Sequence, residues 1–324
     1  MEAKQNARYR VYSEALKEKY GCKVYRLPVN LPATCPNRAA GGGCAYCSPK
    51  GAGFESLPDS LSVREQLEQN RAYIGKKYHA EKFIAYFQNY TNTYLPPAAF
   101  ASAVRAAAQV SGVVELAVST RPDCIAKPYL EILADAQREF GVEITVELGL
   151  QTANYHTLAR LGRGHSLAEF VDARLQILPY GFETCAHVIA DLPWDTMEDV
   201  AETAKLLSAL RFSSVKLHSL YIPKDTPLAQ AYTDGALQLL PLEEYVERCV
   251  TFLEYLDPAM TIARLVGRAP EEDTLICNHH TSWWKIKDMI EEKMEQENRR
   301  QGGKFDYLGG KFVRQWCPPE QDNQ

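Results

Sequence analysis

The sequence predicts an α/β protein whose parallel sheet curls toward a barrel and is followed by an irregular and helical extension. Short apolar runs of β type alternate with longer helical stretches, six times in series. Strands that alternate with helices form parallel sheets covered by helices, and the right-handed crossovers between the strands curl such a sheet. Polar segments follow all six strands, so they should meet at one end of the barrel.

Six apolar runs predict the strands, and helical patterns fill the intervals between them. The strands are expected at residues 24–29, 82–87, 113–119, 143–148, 182–189 and 214–220. The helices are expected at residues 61–78, 97–110, 129–140, 155–161, 167–178, 198–210 and 242–256. Together they make six β–α units.

The alternation stops at about Met260, where an irregular segment begins. A charged helix is expected at residues 286–300, before the pair Gly302 and Gly303. Residues 285–314 contain eight basic and six acidic side chains, which predicts either a solvated helix face or part of a contact with a polyanion. We therefore predict a barrel over residues 1–259 and a C-terminal extension over residues 260–324.

The composition excludes several classes of protein. The chain has 324 residues, of which 46% are hydrophobic, so it can bury a sizeable core. Its formal charge of −5 argues against a protein that coats nucleic acid. No apolar run is long enough to cross a membrane, and the first residues lack the core of a secretion signal, so we expect a cytoplasmic location and no membrane partner. The odd number of cysteines, nine, argues against a disulfide scaffold.

Three cysteines lie in the loop after the first predicted strand, and they are the strongest chemical signal in the sequence. Cys35, Cys44 and Cys47 have the spacing C-x8-C-x2-C. Four thiolates would close a zinc site or fully coordinate an iron–sulfur cluster. Three thiolates on a [4Fe–4S] cluster leave one iron without a protein ligand, where a small molecule can bind. A zinc site whose fourth ligand lies elsewhere in the chain is the alternative.

Polar segments follow the other five strands as well. They are Gln88–Tyr94, Ser119–Cys124, Gly149–Thr152, Ala190–Thr196 and Tyr221–Thr226. In parallel barrels the active site forms at the carboxyl ends of the strands, from the loops that lead into the helices. The sequence therefore predicts a functional site at this end of the barrel.

These motifs resemble a known group of enzymes. The C-x8-C-x2-C spacing with an aromatic residue before the third cysteine is similar to that of the radical S-adenosylmethionine (SAM) superfamily, in the variant found in the Elongator catalytic-subunit group. Further strings resemble the YhcC/YtqA-like family within it, from about Tyr9 to Leu256. They are YFQNYTNTY, STRPDC, VELGLQT, GRGHS, CAHVI and VKLHSLYIPKDT.

The resemblance implies a partial (β/α)6 barrel of the TIM type, a [4Fe–4S] cluster and SAM. Cys35, Cys44 and Cys47 would hold three irons, and the amine and carboxylate of SAM would bind the fourth. An electron from the cluster would then cleave SAM to a 5′-deoxyadenosyl radical that abstracts a hydrogen atom from the substrate. In such enzymes the protein supplies orientation and excludes water, while the cofactor supplies the radical.

The resemblance also implies residues that bind the cofactor. Tyr46 is the aromatic residue before the third cysteine. The family often binds the SAM amine through a glycine-rich end of the second strand, where this chain has Gln88, Asn89 and Asn92 instead.

The fourth and fifth strands supply the remaining cofactor candidates. Glu147, Gln151 and Arg163 are placed to reach the ribose hydroxyls and the carboxylate of SAM, and the guanidinium fork of Arg163 suits the carboxylate best. Residues near Val188 pack the adenine in the family. Asp191 stands where many relatives have glycine, which predicts a reshaped adenine or substrate side.

Catalytic candidates follow the sixth strand. His218 is expected near the end of that strand and Lys224 in the next loop, where they would contact the substrate. Each has a structural alternative, because His218 could be a hydrogen-bonded core histidine and the loop of Lys224 could cap the next helix. His187 on the fifth strand faces the same choice.

The remaining cysteines and the extension favour structural roles. Six cysteines are dispersed without paired spacing and are predicted to be packing or free thiols: Cys22, Cys124, Cys185, Cys249, Cys277 and Cys317. His279 and His280 cannot chelate one metal together, because adjacent side chains point apart in regular structure. With Trp283 and Trp284 beside them, they predict an aromatic anchor that docks the extension on the barrel.

The substrate suggested by the resemblance is tRNA. YtqA-like proteins are associated with tailoring the 5-carboxymethylaminomethyl side chain of the wobble uridine toward the 5-aminomethyl form. Basic residues of the extension could contact phosphates, and aromatic residues could stack on an unpaired base. The candidates are Lys285, Lys287, Arg299, Arg300 and Lys304, with Trp283, Trp284 and Tyr307.

Two other functions stay open from the sequence. One is a radical SAM enzyme that acts on a small metabolite or a peptide. The other is a non-catalytic protein that binds zinc or an iron–sulfur cluster. In the enzymatic cases an electron donor such as flavodoxin or ferredoxin is the expected partner.

Overall fold

The structure, a computed structural model, describes residues 7–48, 56–267, 271–314 and Trp316. Its main element is a sheet of seven parallel strands in the order β1-β2-β3-β4-β5-β6-β8. The strands are β1 (Val24–Val29), β2 (Lys82–Phe87), β3 (Val113–Thr120), β4 (Glu143–Gln151), β5 (Glu183–Ile189), β6 (Ser214–His218) and β8 (Thr261–Arg264). The short strands β7 (Ile222–Pro223) and β9 (Thr274–Ile276) form a separate antiparallel pair. The predicted α/β fold of the partial TIM-barrel type is confirmed.

Helices connect the strands and cover the sheet. They are α1 (Tyr12–Tyr20), α2 (Pro36–Gly41), α3 (Val63–Tyr78), α4 (Pro97–Ala108), α5 (Lys127–Phe140), α6 (Tyr155–Arg160), α7 (Leu167–Ile177), α8 (Met197–Ala209), α9 (Pro227–Thr233), α10 (Leu242–Tyr255) and α11 (Trp283–Gln296). Capping boxes at Ser62, Ser166 and Thr196 fix where α3, α7 and α8 begin, because each cap side chain accepts a backbone N–H of the first turn.

The seventh strand of the sheet comes from the extension, where the sequence pattern predicted irregular structure. β8 pairs in parallel with β6, and the register shifts between Val215 and Lys216 so that Lys216 lies beside Arg264. A four-residue strand carries too few positions to show an alternating pattern. The division of the chain at residue 259 stays a prediction, since this strand continues the sheet directly.

α1 covers the gap between the two edges of the curled sheet. It contacts both β1 and β8, and Val11, just before the helix, forms a parallel bridge to Ile262. On the inner face of the sheet Leu16 packs against Ile84 and Tyr86. The amino-terminal half of the barrel interior is thereby filled, which leaves the carboxyl ends of the strands as the open part.

Alternation along the strands separates the core from the barrel interior. On β3 and β4 the apolar residues Leu116, Val118, Ile144 and Val146 belong to the main hydrophobic core. The next residues along these strands, Ser119 and Glu147, face the interior. Successive side chains of a strand point to opposite faces, so one strand supplies both the core and the site.

The extension packs firmly on the barrel. Ile286, Ile290 and Met294 of α11 are fully buried in the main core. Trp283 packs against this core while Trp284 is half exposed, so the apolar face of α11 docks the extension together with only one of the two predicted tryptophans. Within the described part of the chain, none of the helices has the length and apolar character needed to cross a bilayer.

Candidate active site

A cavity of about 860 Å³ lies at the carboxyl ends of the strands. The loop after β1 supplies Cys35, Cys44 and Cys47 to its lining, and β4 and β6 supply Glu147 and Lys216. This volume lies in the upper part of the range for small-molecule sites, roughly 300–1,000 Å³. Four of the five other polar segments predicted to meet at this end of the barrel contribute residues to the lining, whereas residues 190–196 do not.

The cysteine loop is a tight turn built around α2. Cys35 is the residue before this six-residue helix, and Gly42 and Gly43 follow it with φ of 92° and 94°, a conformation that favours glycine. The backbone N–H of Ala45 donates to the carbonyl of Leu161 at 2.9 Å. The loop is thereby tied to the segment after β4, and the three thiols face one cavity.

Each of the three sulfurs has a nitrogen donor beside it. Arg163 Nη1 lies 3.3 Å and Asn37 Nδ2 3.4 Å from Cys44 Sγ. Arg38 Nη2 lies 3.5 Å from Cys47 Sγ, and Arg121 Nη1 lies 3.9 Å from Cys35 Sγ. Burial raises the pKa of the Cys47 thiol, and the Arg38 guanidinium acts in the opposite direction. Donors of this kind stabilise thiolates and the sulfurs of a cluster.

The guanidinium groups beside the sulfurs are held by other partners. Arg121 pairs with both carboxylate oxygens of Asp123, at 2.8 and 2.7 Å. Arg163 donates to the carbonyl of Gly149 at 2.9 Å and lies 3.0 Å from Nε2 of His165. Burial and the charge of Arg163 lower the pKa of His165 to about 4, so this histidine is neutral at physiological pH.

A second group of charges, centred on Glu147, forms another wall of the same cavity. Its Oε1 accepts from Arg26 at 2.6 Å. Its Oε2 accepts from Lys216 at 2.5 Å and from Ser119 at 3.2 Å, and it lies 2.8 Å from Nε2 of His187. Burial acts to raise the pKa of Glu147, but the charges of Lys216 and Arg26 hold it well below its usual range. Burial and Arg26 lower the pKa of Lys216 to about 8.

His218 extends this wall. Its ring lies 5.6 Å from that of His187, and its Nε2 is buried without a hydrogen-bond partner among the described residues. Burial and the charge of Arg264 lower the pKa of His218 well below its usual value, so the imidazole is neutral. The cavity thus has a sulfur-rich wall and a charged wall.

The family is decided by comparison with known sequences. A profile of the radical SAM superfamily matches residues 29–207, and a profile of the radical SAM C-terminal domain matches residues 212–296. The chain belongs to the radical SAM superfamily. Enzymes of this superfamily use a [4Fe–4S] cluster and SAM.

Relatives match this radical SAM enzyme over nearly its whole length. The chain is 30% identical over 304 residues to YtqA of Bacillus subtilis (strain 168), covering 93% of this chain and 94% of the relative. It is 31% identical over 306 residues to MJ0486 of Methanocaldococcus jannaschii, covering 92% of each. Among solved structures, Elp3 of Methanocaldococcus infernus, with residues 1–46 deleted, matches with a TM-score of 0.65 at 16% identity. That match covers 86% of this chain and 64% of the Elp3 chain, and it bears on the fold alone.

Most of the cofactor residues expected in the radical SAM enzyme line the cavity. In addition to the three cysteines, they are Tyr46, Gln88, Glu147, Gln151 and Arg163. The donor set fits the cluster, because three thiols with adjacent N–H donors face a cavity large enough for a further molecule. Arg163 Nε is buried without a partner among the described residues, so this guanidinium retains donor capacity for a carboxylate.

Three expected cofactor residues do not line the cavity. Val188 packs into the main core, because on β5 its neighbours His187 and Ile189 face the interior. Asn89 donates to Asn30 Oδ1 at 3.1 Å. Asn92 donates to the carbonyls of Phe87 and Ser119 at 3.0 and 2.8 Å, so it joins the ends of β2 and β3. These contacts use only the amide nitrogens, and Oδ1 of each asparagine is buried without a partner among the described residues, so the cofactor-binding role of the two asparagines stays a prediction.

The two catalytic candidates lie in different places. His218 lines the cavity, whereas Lys224 is exposed and does not. Lys224 Nζ donates to the backbone carbonyl of Glu272 at 2.6 Å, which ties the loop after β6 to the extension. A catalytic role for Lys224 stays a prediction without a supporting contact.

Asp191 joins the barrel to the extension rather than facing the cofactor cavity. Its Oδ1 accepts the backbone N–H of Leu220 at 2.6 Å, and its Oδ2 lies 2.9 Å from Nε2 of His279. The ring of His279 stacks on Tyr245 of α10, with centroids 5.5 Å apart. The expectation that Asp191 reshapes the adenine or substrate side is replaced by this docking role.

The dispersed cysteines form no disulfide among the described residues. Cys185 and Cys249 are fully buried, as expected for packing thiols. Cys185 lies within metal-ligand distance of Glu147 and His187, but the two oxygens of Glu147 already bind Arg26 and Lys216, so no metal site is assigned there. Cys317 lies outside the described residues.

Several residues of the site are not among those predicted from the sequence. They are Arg26, Arg38, Arg121, Lys216 and Arg264. The sequence contains a signal for two of these residues, Arg38 and Lys216. Arg38 lies inside the cysteine motif, and Lys216 interrupts an apolar strand in which a charged residue needs a buried partner.

Proposed function

We propose that this radical SAM enzyme modifies tRNA, converting the 5-carboxymethylaminomethyl side chain of the wobble uridine toward the 5-aminomethyl form. The arrangement of three thiols and three guanidiniums around one wall of the cavity carries the enzymatic part of the proposal. When bound, the cluster and SAM supply a 5′-deoxyadenosyl radical that can abstract a hydrogen atom beside the substrate amine.

The residues of the chain would divide the work between the two walls of the cavity. Cys35, Cys44 and Cys47 would hold three irons, and the three arginines beside them would offset the negative charge of the thiolates. Arg163, with its unpartnered Nε, would bind the carboxylate of SAM. The wall around Glu147 is left to face the substrate, away from the sulfurs.

A relative named for tRNA chemistry supports the choice of substrate. The chain is 25% identical over 160 residues to the tRNA uridine(34) acetyltransferase of Dehalococcoides mccartyi, covering 48% of this chain and 34% of the relative. The cavity volume of about 860 Å³ gives room for a nucleoside in addition to a cofactor.

One observation favours a second function, a radical SAM enzyme for a small metabolite or peptide. Several basic residues expected to contact phosphates are engaged within the protein. Arg299 pairs with Glu254 at 2.7 Å and Glu247 at 2.7 Å, and Lys304 pairs with Glu254 at 2.7 Å. Lys287 pairs with Glu291 at 2.6 Å. These pairs leave fewer cations of the extension for RNA.

The enzymatic proposal is tested by anaerobic reconstitution with iron and sulfide. We expect about four irons per chain, the number in one [4Fe–4S] cluster, and reductive cleavage of SAM to 5′-deoxyadenosine. Cys44→Ala should lose both the cluster absorbance and the cleavage, while Cys22→Ala, a cysteine outside the loop, should retain both. Cleavage that survives in Cys44→Ala would contradict the ligand assignment, and uptake of zinc alone would support the non-catalytic alternative.

The substrate is tested by nucleoside analysis of tRNA from a strain that lacks the gene. We expect 5-carboxymethylaminomethyluridine to accumulate and its 5-aminomethyl product to disappear. An unchanged pattern of wobble uridines would reject the tRNA substrate and favour the small-metabolite function. The salt dependence of substrate binding also distinguishes the two functions, because the affinity for tRNA should fall steeply between low and moderate salt, whereas the affinity for a small metabolite should change little.

A further inference from the structure

Arg264 faces the cavity because of an irregularity in strand pairing. β6 and β8 pair regularly up to Val215 and Ile262, and Lys216 then pairs with Arg264, so Ala263 is an extra residue in β8. Without this bulge Arg264 would lie on the opposite face of the strand from Lys216. Bulges are rare in parallel sheets and re-aim side chains next to active sites. The guanidinium of Arg264 is thereby directed into the site.

Arg264 differs from the other cations of the cavity in having no partner. The others are Arg38, Arg121, Arg163, Lys216 and Lys287, and each has a carboxylate, carbonyl or sulfur within hydrogen-bond distance. Among the described residues Arg264 has neither a hydrogen bond nor an ion pair, although it lines the same cavity. A guanidinium carries five N–H donors in a planar fork that matches a carboxylate.

The guanidinium of Arg264 is exposed to solvent, and its charge is not balanced by a carboxylate of the described residues. Glu147 is the only carboxylate among the described residues that line the cavity, and Arg26 and Lys216 already share it. Arg264 and Lys216 are neighbours on adjacent strands, and like charges in that position repel. An anion placed beside Arg264 would offset the excess positive charge of this wall.

His218 supplies a second unsatisfied group at the same wall. It lies on β6, the strand that pairs with β8, and its Nε2 is buried with no partner among the described residues. Buried polar atoms without partners are rare, and each calls for a partner that binds there. Arg264 pairs with Lys216, and His218 follows Lys216 by two residues on β6, so Arg264 and His218 are diagonal neighbours on the same face of the sheet.

We propose that Arg264 and His218 form a subsite for a carboxylate of the substrate, on the part of the cavity wall formed by β6 and β8. The inference rests on the proposed function for the identity of the substrate, whose side chain ends in a carboxylate. Arg264 is then a specificity-determining residue, since it selects uridine side chains that carry this group. The carboxylate of SAM is assigned to Arg163, on the other wall.

Ligand-observed saturation-transfer NMR on the reconstituted, full-length protein tests the subsite without RNA. The probe is N-methylglycine, and its control is N-methylglycinamide, which lacks the carboxylate. We expect a saturable signal for N-methylglycine with the wild type and with Arg211→Gln, an exposed arginine that does not line the cavity. The signal should fall at least about tenfold in Arg264→Gln, because a charge-assisted hydrogen bond is lost. Equal signals in the two variants, or none in the wild type, would overturn the proposal.

A kinetic experiment tests specificity on the proposed substrate. Anticodon stem–loop RNAs with 5-carboxymethylaminomethyluridine or 5-methylaminomethyluridine are compared by formation of 5′-deoxyadenosine. Arg264→Gln should lower kcat/KM for the carboxylated RNA by about 10- to 100-fold, mainly through KM, and Arg264→Lys should restore part of it. A ratio between the two RNAs that does not change in Arg264→Gln would reject the role of Arg264.

Two further outcomes distinguish a failure of the proposed function from a wrong assignment of the carboxylate at Arg264. If the wild type responds to neither RNA, the proposed function fails, and the N-methylglycine experiment still decides the subsite. If Arg264→Gln raises the Kd for SAM tenfold or more while Arg211→Gln does not, the carboxylate belongs to SAM and the assignment to the substrate is overturned.

Discussion

Glu147 shows at the scale of a residue how the site is built from groups that could not be buried alone. Its side chain has no exposed surface and is surrounded by Arg26, Lys216, His187 and Ser119. Removing one member of such a buried network leaves the others with uncompensated charge. The network therefore fixes the position of the charged wall of the cavity.

Glu147→Gln should lower the free energy of unfolding by about 3–5 kcal/mol, because Arg26 and Lys216 lose a buried counter-charge. Urea unfolding followed by circular dichroism measures the loss. Glu115→Gln is the matched control, since Glu115 is also buried but accepts from the neutral hydroxyls of Tyr20 and Thr145. Equal losses in the two variants would show that charge pairing does not set the stability of the network.

Individual residues also show what sequence could and could not reveal. The cysteines and Arg163 are found from their motifs, because the chemistry fixes the residue type and the spacing. The adenine-packing role of Val188 stays a prediction without a supporting contact, because Val188 lies in the core while its neighbours His187 and Ile189 line the cavity. Arg121 contacts Cys35 across 86 positions of sequence, so only the fold brings them together.

At the scale of secondary structure the joint between barrel and extension depends on few side chains. Asp191 follows β5, and its carboxylate binds both the Leu220 amide and His279. His279 and its neighbours Asn278 and His280 all have positive φ, between 49° and 56°. Positive φ costs free energy in residues other than glycine, so tertiary contacts must hold this turn.

Asp191→Ala should loosen this joint, because a buried amide and the imidazole of His279 both lose their acceptor. We expect a loss of about 1–3 kcal/mol in unfolding free energy, together with faster proteolysis between β9 and α11. Limited proteolysis followed by mass spectrometry locates the cleavage. Asp234→Ala, which removes an exposed acceptor of Gln230, is the control. Cleavage no faster than in the control would mean that the apolar face of α11 holds the extension alone.

The prediction of elements succeeds where the pattern is long and fails where it is short. Six strands lie within a few residues of their predicted positions, because each has a run of buried apolar residues. β8 was missed, since four residues with a bulge show no regular alternation. The charged helix was predicted at residues 286–300, but α11 begins at Trp283 and ends at Gln296, before Asn298 with φ of 53°.

For the whole molecule the buried histidines couple stability to pH. Burial is the main cause that lowers the pKa of His165, His187 and His218, so the native protein keeps them neutral. In the unfolded chain a histidine takes up a proton near pH 6.5. Between that pH and the lower native pKa the unfolded state binds more protons, so acid favours unfolding.

His165 provides the clearest test of this coupling. Its native pKa of about 4 predicts a contribution of about 3 kcal/mol that is complete above pH 6.5 and is lost as the pH falls toward 4. Urea unfolding at several pH values compares the wild type with His165→Gln. The variant should show a shallower decline over this window. His156→Gln, at an exposed histidine, should keep the decline of the wild type. Parallel curves for wild type and His165→Gln would contradict the prediction.

The fold class, the family and the cysteine wall could be predicted from the sequence, as could Glu147 and His218 individually, while the assembly of the charged wall could not. Its members come from β1, β4, β5, β6 and β8, and each looks like an ordinary polar residue in its own segment. Arg264 in particular depends on a bulge that no local pattern signals. The charged wall is a property of the assembled sheet.

The segment before α1 and the C-terminal extension are far apart in sequence but contact each other beside the barrel, so the order of biosynthesis limits when these contacts can form. The backbone N–H of Arg10 donates to the side chain of Gln301, the N–H of Gln301 donates to the carbonyl of Arg8, and Tyr9 reaches Glu291. A growing chain cannot form these contacts until residue 301 has left the ribosome. The segment before α1 is therefore held by all of its contacts only when nearly the whole chain has been made. The junction between the first and last parts of the barrel is thus completed late in synthesis.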